Sequence, residues 1–489
     1  MTKKMTRQLQ YNKDLVKLFD TDRGRKSGSA RTTLWRPRSD AVEWGEGGGN
    51  TPPPFPPQTC ERAITQAGSR NIFVIIYEST LYKDAINLSN NKENSNLENI
   101  SPYDEVNFHE KIVNSYYNKR QEWRTSNLGT VLFKNDDINK YIRKDNENKT
   151  FTVVIWKYWN WLQHRHMYSF GASQKDISLE GCSVKNCVFP KNDQGFDTAD
   201  AVVVHVQHGL FPNNTKKRNP HQRWIFLSDE SPVNAFFQSE RRINLEDLAY
   251  MFNWSMTYRS ESDVPVPYGR TVPLPEPIIE TAEKPITDLI PNWSKKRQDV
   301  LAAILISHCG VSYRIEFVNE LKKHLSLDVH GSCSENHKNS CPGHFRADCP
   351  VISEYLFYLV FENSKCQEYL TEKSFYHAYS KGAIPVIMGP TVEECEKLLP
   401  PDSFLHVDNY DTVEELAMEI INISKDMPRL LLYHEWRRHF QVINEHGYFG
   451  SKSQHYCRIC EALNYNDQDV KIYDEDMLRP FFDKSSACR

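Results

Sequence analysis

The stretch 355–390, YLFYLVFENSKCQEYLTEKSFYHAYSKGAIPVIMGP, constrains the fold more than any other part of the chain. Residues 355–361 are an apolar, aromatic run ending at the polar Glu362, Asn363 and Ser364. That is the pattern of a buried strand that empties into a loop. Thr371 is placed to cap a helix, and Gly382 sits where that helix should stop. Residues 383–388 form a second apolar run, ended by Gly389 and Pro390. Strand, helix and strand at this spacing predict a βαβ unit with parallel strands and a right-handed crossover. Ligands of such sheets bind beyond the carboxyl ends of the strands. Here that edge carries Glu362, Asn363, Glu372 and Lys373. A carboxylate suits a ribose diol, and an ammonium at a helix start suits a diphosphate. The residues point to a sugar-nucleotide site.

The same pattern recurs on both sides of this unit. Apolar runs at 151–156, 200–205 and 223–228 predict strands of a first α/β domain. The 223–228 run leads into Asp229, Glu230, Ser231 and Pro232. A proline-containing segment, 271–297, reads as a connection. A strand at 300–307, a helix at 315–325 and a strand at 327–330 open the second domain. Helices are expected at 411–425 and 428–440. Residues 1–69 hold a Gly-rich patch and a Pro cluster and read as a disordered stem. A strand is expected at 71–77 and a loop at 87–99. The divisions are 1–69 stem, 70–149 variable extension, 150–270 first domain, 271–297 linker, 298–463 second domain and 464–489 tail.

The segment FENSKCQEYLTEK, followed by a helix and GAIPVIMGP, resembles the donor-site signature of the α1,3/4-fucosyltransferases. The resemblance runs from about residue 150 to about residue 463. It includes DESPVN, similar to the family's ESP motif, and FNWSMTYRSESDVPVPYG, similar to a further block. It implies an α/β fold of two Rossmann-like domains facing a cleft, the GT-B type. It implies inverting transfer of L-fucose from GDP-fucose to N-acetylglucosamine in a glycan.

The resemblance assigns Glu230 as the general base that takes the acceptor proton. Arg314 and Lys373 become cations for the departing diphosphate, and Glu372 the ribose ligand. Asn363 and Tyr369 match donor-pocket positions, with Glu362 beside them. Tyr258 and Arg259 face the donor or close the domain interface. His308 stands where the family's short block before Arg314 usually has Asn. His308-Cys309-Gly310 and the Cys-containing loop after Gly331 look most like enzymes of the N-glycan core. A Lewis-type antenna, protein O-fucosylation, or a lectin-like protein without catalysis are the alternatives.

Lys+Arg 60 against Asp+Glu 64 leaves a net charge of −4, which gives no basis for nucleic-acid binding. The run 330–349 carries His330, Cys333, His337, Cys341, His344 and Cys349, and a single C-x-x-C joins Cys457 and Cys460. Neither has paired knuckles at zinc spacing, and no clear D-x-D motif is present, so no metal and no cofactor besides the GDP-fucose donor is expected. Twelve cysteines and the sequons at Asn87, Asn99, Asn148, Asn213, Asn253, Asn292 and Asn422 point to disulfides in a secretory compartment. The resemblance implies a Golgi-lumenal type II membrane protein with an N-terminal anchor. No run is long enough for that anchor, so a truncated N-terminus is expected.

Overall fold

The computed structural model describes residues 102–146, 148–157, 179, 181–190, 193–213, 219–334, 341, 348–448 and 453–489. The stem, the strand at 71–77, the loop at 87–99, Asn87, Asn99, His337 and His344 lie outside these residues. Helices α1 (Pro102–Asn118) and α2 (Asn127–Lys134) precede the first sheet. Ser126 caps α2 by accepting from the Gly129 amide.

The first sheet contains β1 (Phe151–Ile155), β2 (Cys187–Val188), β3 (Ala201–His205), β4 (Arg223–Ser228), β5 (Trp254–Thr257) and β6 (Val264–Pro265), in the order β2-β1-β3-β4-β5-β6. Every pairing in it is parallel. Its central strands β3 and β4 are buried on both faces, so they read as nearly continuous apolar runs rather than alternating ones. Val153, Ile155, Val203 and Leu227 face one core, and Val154, Val202, Val204 and Phe226 face the other.

After β7 (Gly269–Pro273) the chain builds a second sheet from β8 (Ala302–Leu305), β9 (Leu327–His330), β10 (Phe357–Phe361), β11 (Ile384–Met388) and β12 (Leu405–His406). Between these strands run α3 (Ser312–Leu321), α4 (Val392–Leu398) and, after β12, α5 (Val413–Lys425). The order is β12-β11-β10-β8-β9, again all parallel. The order reverses between β8 and β10, and such a switch point opens a ligand crevice at the carboxyl edge. The predicted α/β class with two Rossmann-like sheets is what the chain adopts.

Three details differ from expectation. The region 428–440 is a short helix, Met427–Leu432, and a 3-10 turn, Glu435–Arg438. A strand, β13 (Phe440–Asn444), follows and pairs antiparallel with β7. This ribbon links the sheets, where the sequence suggested only a linker. Second, α1 sits in the 70–149 extension but packs Ile112 and Tyr116 into the core of the second lobe. Third, the chain returns to the first lobe. Helix α6 (His455–Tyr465) packs beneath β1 and β3, and α7 (Glu475–Phe482) sets Phe481 against Phe226 at 5.4 Å. The tail is therefore structural, and its apolar side chains complete the first core.

Disulfides Cys182–Cys457 and Cys187–Cys460 fasten α6 to the first lobe. Cys309–Cys333, Cys341–Cys349 and Cys366–Cys488 complete the described set, and Cys395 is a buried thiol. The cysteines of both imagined zinc runs are thus paired with one another or with partners elsewhere. A buried ionic chain also ties α6 to the ribbon. Arg270 donates to Glu445 at 2.8 Å, Arg458 donates to Glu445 at 3.0 Å, and Arg458 reaches Glu461 at 2.5 Å. Burial would raise the Glu445 pKa, but the two arginines more than offset it and hold it low. Among the described residues no helix is long and apolar enough to cross a membrane.

Gly382 ends the helix after β10 with φ +74°, and a Cβ there would run into the Pro291 carbonyl oxygen. Gly382→Ala is expected to destabilise the fold by about 2 kcal/mol or more. A lowered urea midpoint with an unchanged slope would show it.

Candidate active site

The residues after β10 form the site, and buried chemistry dictates their arrangement. Glu362 follows the last residue of the strand and has no exposed surface. A carboxylate taken from water must be paired and hydrogen-bonded. Glu362 accepts from the Thr371 amide at 2.9 Å, from the Thr371 hydroxyl at 2.9 Å, and from Lys373 Nζ at 2.9 Å. Lys373 also donates to Thr371 Oγ1 at 2.8 Å and to Glu372 at 3.5 Å. Burial alone would depress the lysine's pKa, but Glu362 and then Glu372 keep it above the ordinary range.

Two sequence expectations change here. Thr371 turns its hydroxyl to Glu362, and its approach to the Lys373 amide is a long 3.5 Å, so it is not a helix cap in the ordinary sense. The turn that follows, Lys373–Ala378, is a π-helix. Glu362, placed by the sequence among donor contacts, is instead the buried brace that positions Lys373.

Arg314 comes from α3, across the switch point. Its guanidinium donates to the Phe361 carbonyl at 3.2 Å and the His308 carbonyl at 2.6 Å. It thereby bridges the ends of β8 and β10. It is buried, and burial lowers its pKa. Its Nε has no hydrogen-bond partner. Tyr313 donates to the Glu362 carbonyl at 3.0 Å. Around these groups the edge is open: residues 307–310 are exposed, and Asn363, Lys365 and Glu372 are partly so.

Glu230 lies two residues past β4, on the facing lobe. The Tyr369 hydroxyl donates to Glu230 Oε2 at 3.0 Å. The Ser364 and Ser231 hydroxyls meet at 2.6 Å beside it. The carboxylate of one lobe and the donor loop of the other therefore occupy one place. Burial, and then the Glu230 charge, push the Tyr369 phenol well above its usual range. Tyr258 is buried with its ring 5.0 Å from Tyr369. Arg259 donates to Gln367 at 2.9 Å and pairs with Glu261 at 2.7 Å. Of the two roles left open for this pair, closing the interface is the one these contacts describe.

Asp229 stands beside Glu230 in the sequence, but its partners carry no sequence signal. Asp229 turns inward, where His455 donates to it at 2.9 Å and His446 lies at 3.7 Å. Tyr268 stacks on His446 at 3.7 Å and donates to the Asp229 carbonyl at 2.9 Å. Asp229, His446 and His455 bring one ligand-type atom each within 4.8 Å and could hold a cation. In this geometry they form a buried polar wall beside Glu230. His455 lies 226 positions from Asp229, so only folding joins them.

Two parallel α/β sheets, one with a nucleotide-type switch point facing a carboxylate of the other, make the two-domain arrangement of the GT-B type. Residues 148–269 match the model "Fucosyltransferase, N-terminal", and residues 293–477 match "Glycosyltransferase family 10 (fucosyltransferase) C-term". The chain is 33% identical over 299 residues to 4-galactosyl-N-acetylglucosaminide 3-alpha-L-fucosyltransferase FUT6 of Pan troglodytes, over 59% of this chain and 76% of that one. It is 29% identical to alpha-(1,3)-fucosyltransferase 7 of Rattus norvegicus, over 60% and 74%. A crystal structure of an alpha1,3-fucosyltransferase overlays with 15% identity and TM-score 0.39, covering 68% of this chain and 95% of that one. The strand orders, not that overlay, define the fold. The chain belongs to glycosyltransferase family 10, the fucosyltransferases, and is an enzyme of the α1,3-fucosyltransferase type. These relatives are named for galactosyl-N-acetylglucosaminide or α1,3 transfer, and they lend no support to the expected N-glycan core preference.

The Glu362–Lys373 pair gives a stability test. A lysine with a raised folded-state pKa stabilises the fold fully below about pH 10.4 and loses that contribution as pH climbs through the raised value. Glu362→Gln should cost about 3 kcal/mol, because it strands a largely buried ammonium. The stability gap between wild type and variant, from urea unfolding, should be flat at neutral pH and shrink as pH rises, first as the stranded lysine of the variant deprotonates below the ordinary lysine range and then as wild type passes its raised value.

Proposed function

We propose that this enzyme transfers L-fucose from GDP-β-L-fucose to the 3-hydroxyl of an N-acetylglucosamine residue, with inversion at C1. The observation that carries the reading is the 3.0 Å hydrogen bond between Tyr369 and Glu230, which sets the first-lobe carboxylate against the donor loop. Glu230, held by the Tyr369 hydroxyl at Oε2, is the proton acceptor. The acceptor O3 attacks fucose C1, its proton passes to Glu230, and the C1–O bond to GDP breaks. Negative charge grows on the diphosphate. Lys373, set by Glu362, and Arg314, at the switch point, are the cations that answer it. Glu372 and Asn363, partly exposed on the same edge, serve the ribose and the sugar.

For the acceptor, the names of the relatives favour a galactosyl-N-acetylglucosamine antenna. A site in the Golgi lumen is favoured by the five disulfides among the described residues, which need an oxidising compartment.

Glu230→Gln should lower kcat by about 10²- to 10⁴-fold while GDP binding, read by calorimetry, stays near wild type. Full transfer activity in that variant would remove Glu230 as base. An acceptor panel of N-acetyllactosamine, N-glycan core and peptide, scored by mass spectrometry, should give transfer to the first. Transfer to the core or peptide alone would overturn the acceptor assignment and leave the reaction type standing.

A further inference from the structure

Tyr369 is aimed at Glu230 by the residue before it. Glu368 is not glycine, yet its backbone is left-handed at φ +57°. An L side chain avoids that region unless surrounding contacts hold it there. The contacts are on the page. Glu368 Oε2 accepts from the Ser260 amide at 2.6 Å, and Oε1 accepts from the Ser260 hydroxyl at 2.9 Å. Ser260 belongs to the first lobe, just past β5, and is buried. The Glu368 amide donates to Glu394 at 3.2 Å, the residue that closes the capping box of α4 in the second lobe. One residue is thus gripped by side chain from the first lobe and by backbone from the second. Arg259 faces the Glu368 carboxylate electrostatically, and burial raises its pKa against that charge. On the other side, Cys366 is bonded to Cys488 and the Gln367 amide donates to the Ala487 carbonyl at 2.8 Å.

We infer that Glu368 is a positioning residue for the transfer: docked on Ser260, it holds the left-handed turn that points the Tyr369 hydroxyl at Glu230. This rests on the reading of Glu230 as base. Glu368 touches no reacting atom and acts through Tyr369. The tyrosine's hydrogen bond stabilises the ionised Glu230 and helps to orient it. Releasing Glu368 frees the turn, so Glu230 loses the Tyr369 donor and the orientation that goes with it.

The test uses the full, oxidised chain. In Glu368→Ala, kcat should fall about tenfold to a hundredfold, with KM for GDP-fucose within about threefold of wild type. The acidic limb of the kcat/KM profile should move to higher pH, as in Tyr369→Phe, because the carboxylate loses a donor to its charged form. Glu368→Gly, which accepts the positive φ but offers Ser260 no acceptor, should lose less rate than Glu368→Ala and still fall clearly below wild type. Glu368→Gln, which keeps an acceptor for Ser260, should recover most of the rate. A wild-type rate in Glu368→Gly overturns the inference. So does an unmoved acidic limb in Glu368→Ala with only a lowered unfolding midpoint, since that marks a purely structural role. Glu230→Gln, run in parallel, separates the two failures: full activity there removes the base reading, whereas an inactive Glu230→Gln beside a normal Glu368→Gly removes this inference alone.

Discussion

The pairing of Glu362 with Lys373 and Thr371 is the interaction on which the site depends. A carboxylate at the end of a fully buried strand is costly unless every oxygen is satisfied. Here one backbone amide, one hydroxyl and one ammonium satisfy it. The result is a closed turn from residue 362 to residue 373 that folds back on its own strand. The two ends of that turn take their position from this closure, and its far side is held by the first lobe. Lys373 stands at the carboxyl edge because its charge is held there. Tyr369 lies at the far side of the loop, where it can reach the other lobe.

The two lobes are joined by chemistry of different kinds. The β7–β13 ribbon carries the chain across and back by backbone pairing. The Ser231–Ser364, Ser260–Glu368 and Arg259–Gln367 contacts fasten the donor loop directly to the first lobe. The C-terminal residues do so covalently, because α7 packs in the first lobe while Cys488 bonds to Cys366. A reaction that needs a base from one lobe and a leaving-group site from the other depends on that spacing. Misplacement by about 1 Å can cost a hundredfold in rate, so a firmly held loop is a functional property.

Much of the framework was legible because its strands are buried on both faces. Residues 223–228 were read with the boundaries they adopt, since apolar runs flanked by polar residues have few other solutions, and the alternating, partly buried edge strand 327–330 was read with its boundaries too. Gly382 was read as a stop and does carry a positive φ. The reading went astray where a side chain had two partners to choose from. Thr371 looked like a cap, but a buried carboxylate is a stronger acceptor for its hydroxyl than a helix start is a donor to it. The tail looked empty because its few apolar residues are scattered and find their partners only in the first-lobe core.

By itself the sequence determined two parallel sheets, their carboxyl edges and the residue types available there, because periodicity and local turn chemistry are properties of contiguous residues. Tertiary structure alone decided which of those residues meet. Most of the disulfide pairing, the His446–Asp229–His455 wall and the contact of Tyr369 with Glu230 join positions far apart in the chain, and the inward turn of Glu362 depends on its burial. Burial chose among their partners, since an ionisable group removed from water takes whichever donor or countercharge the packed lobes bring within reach.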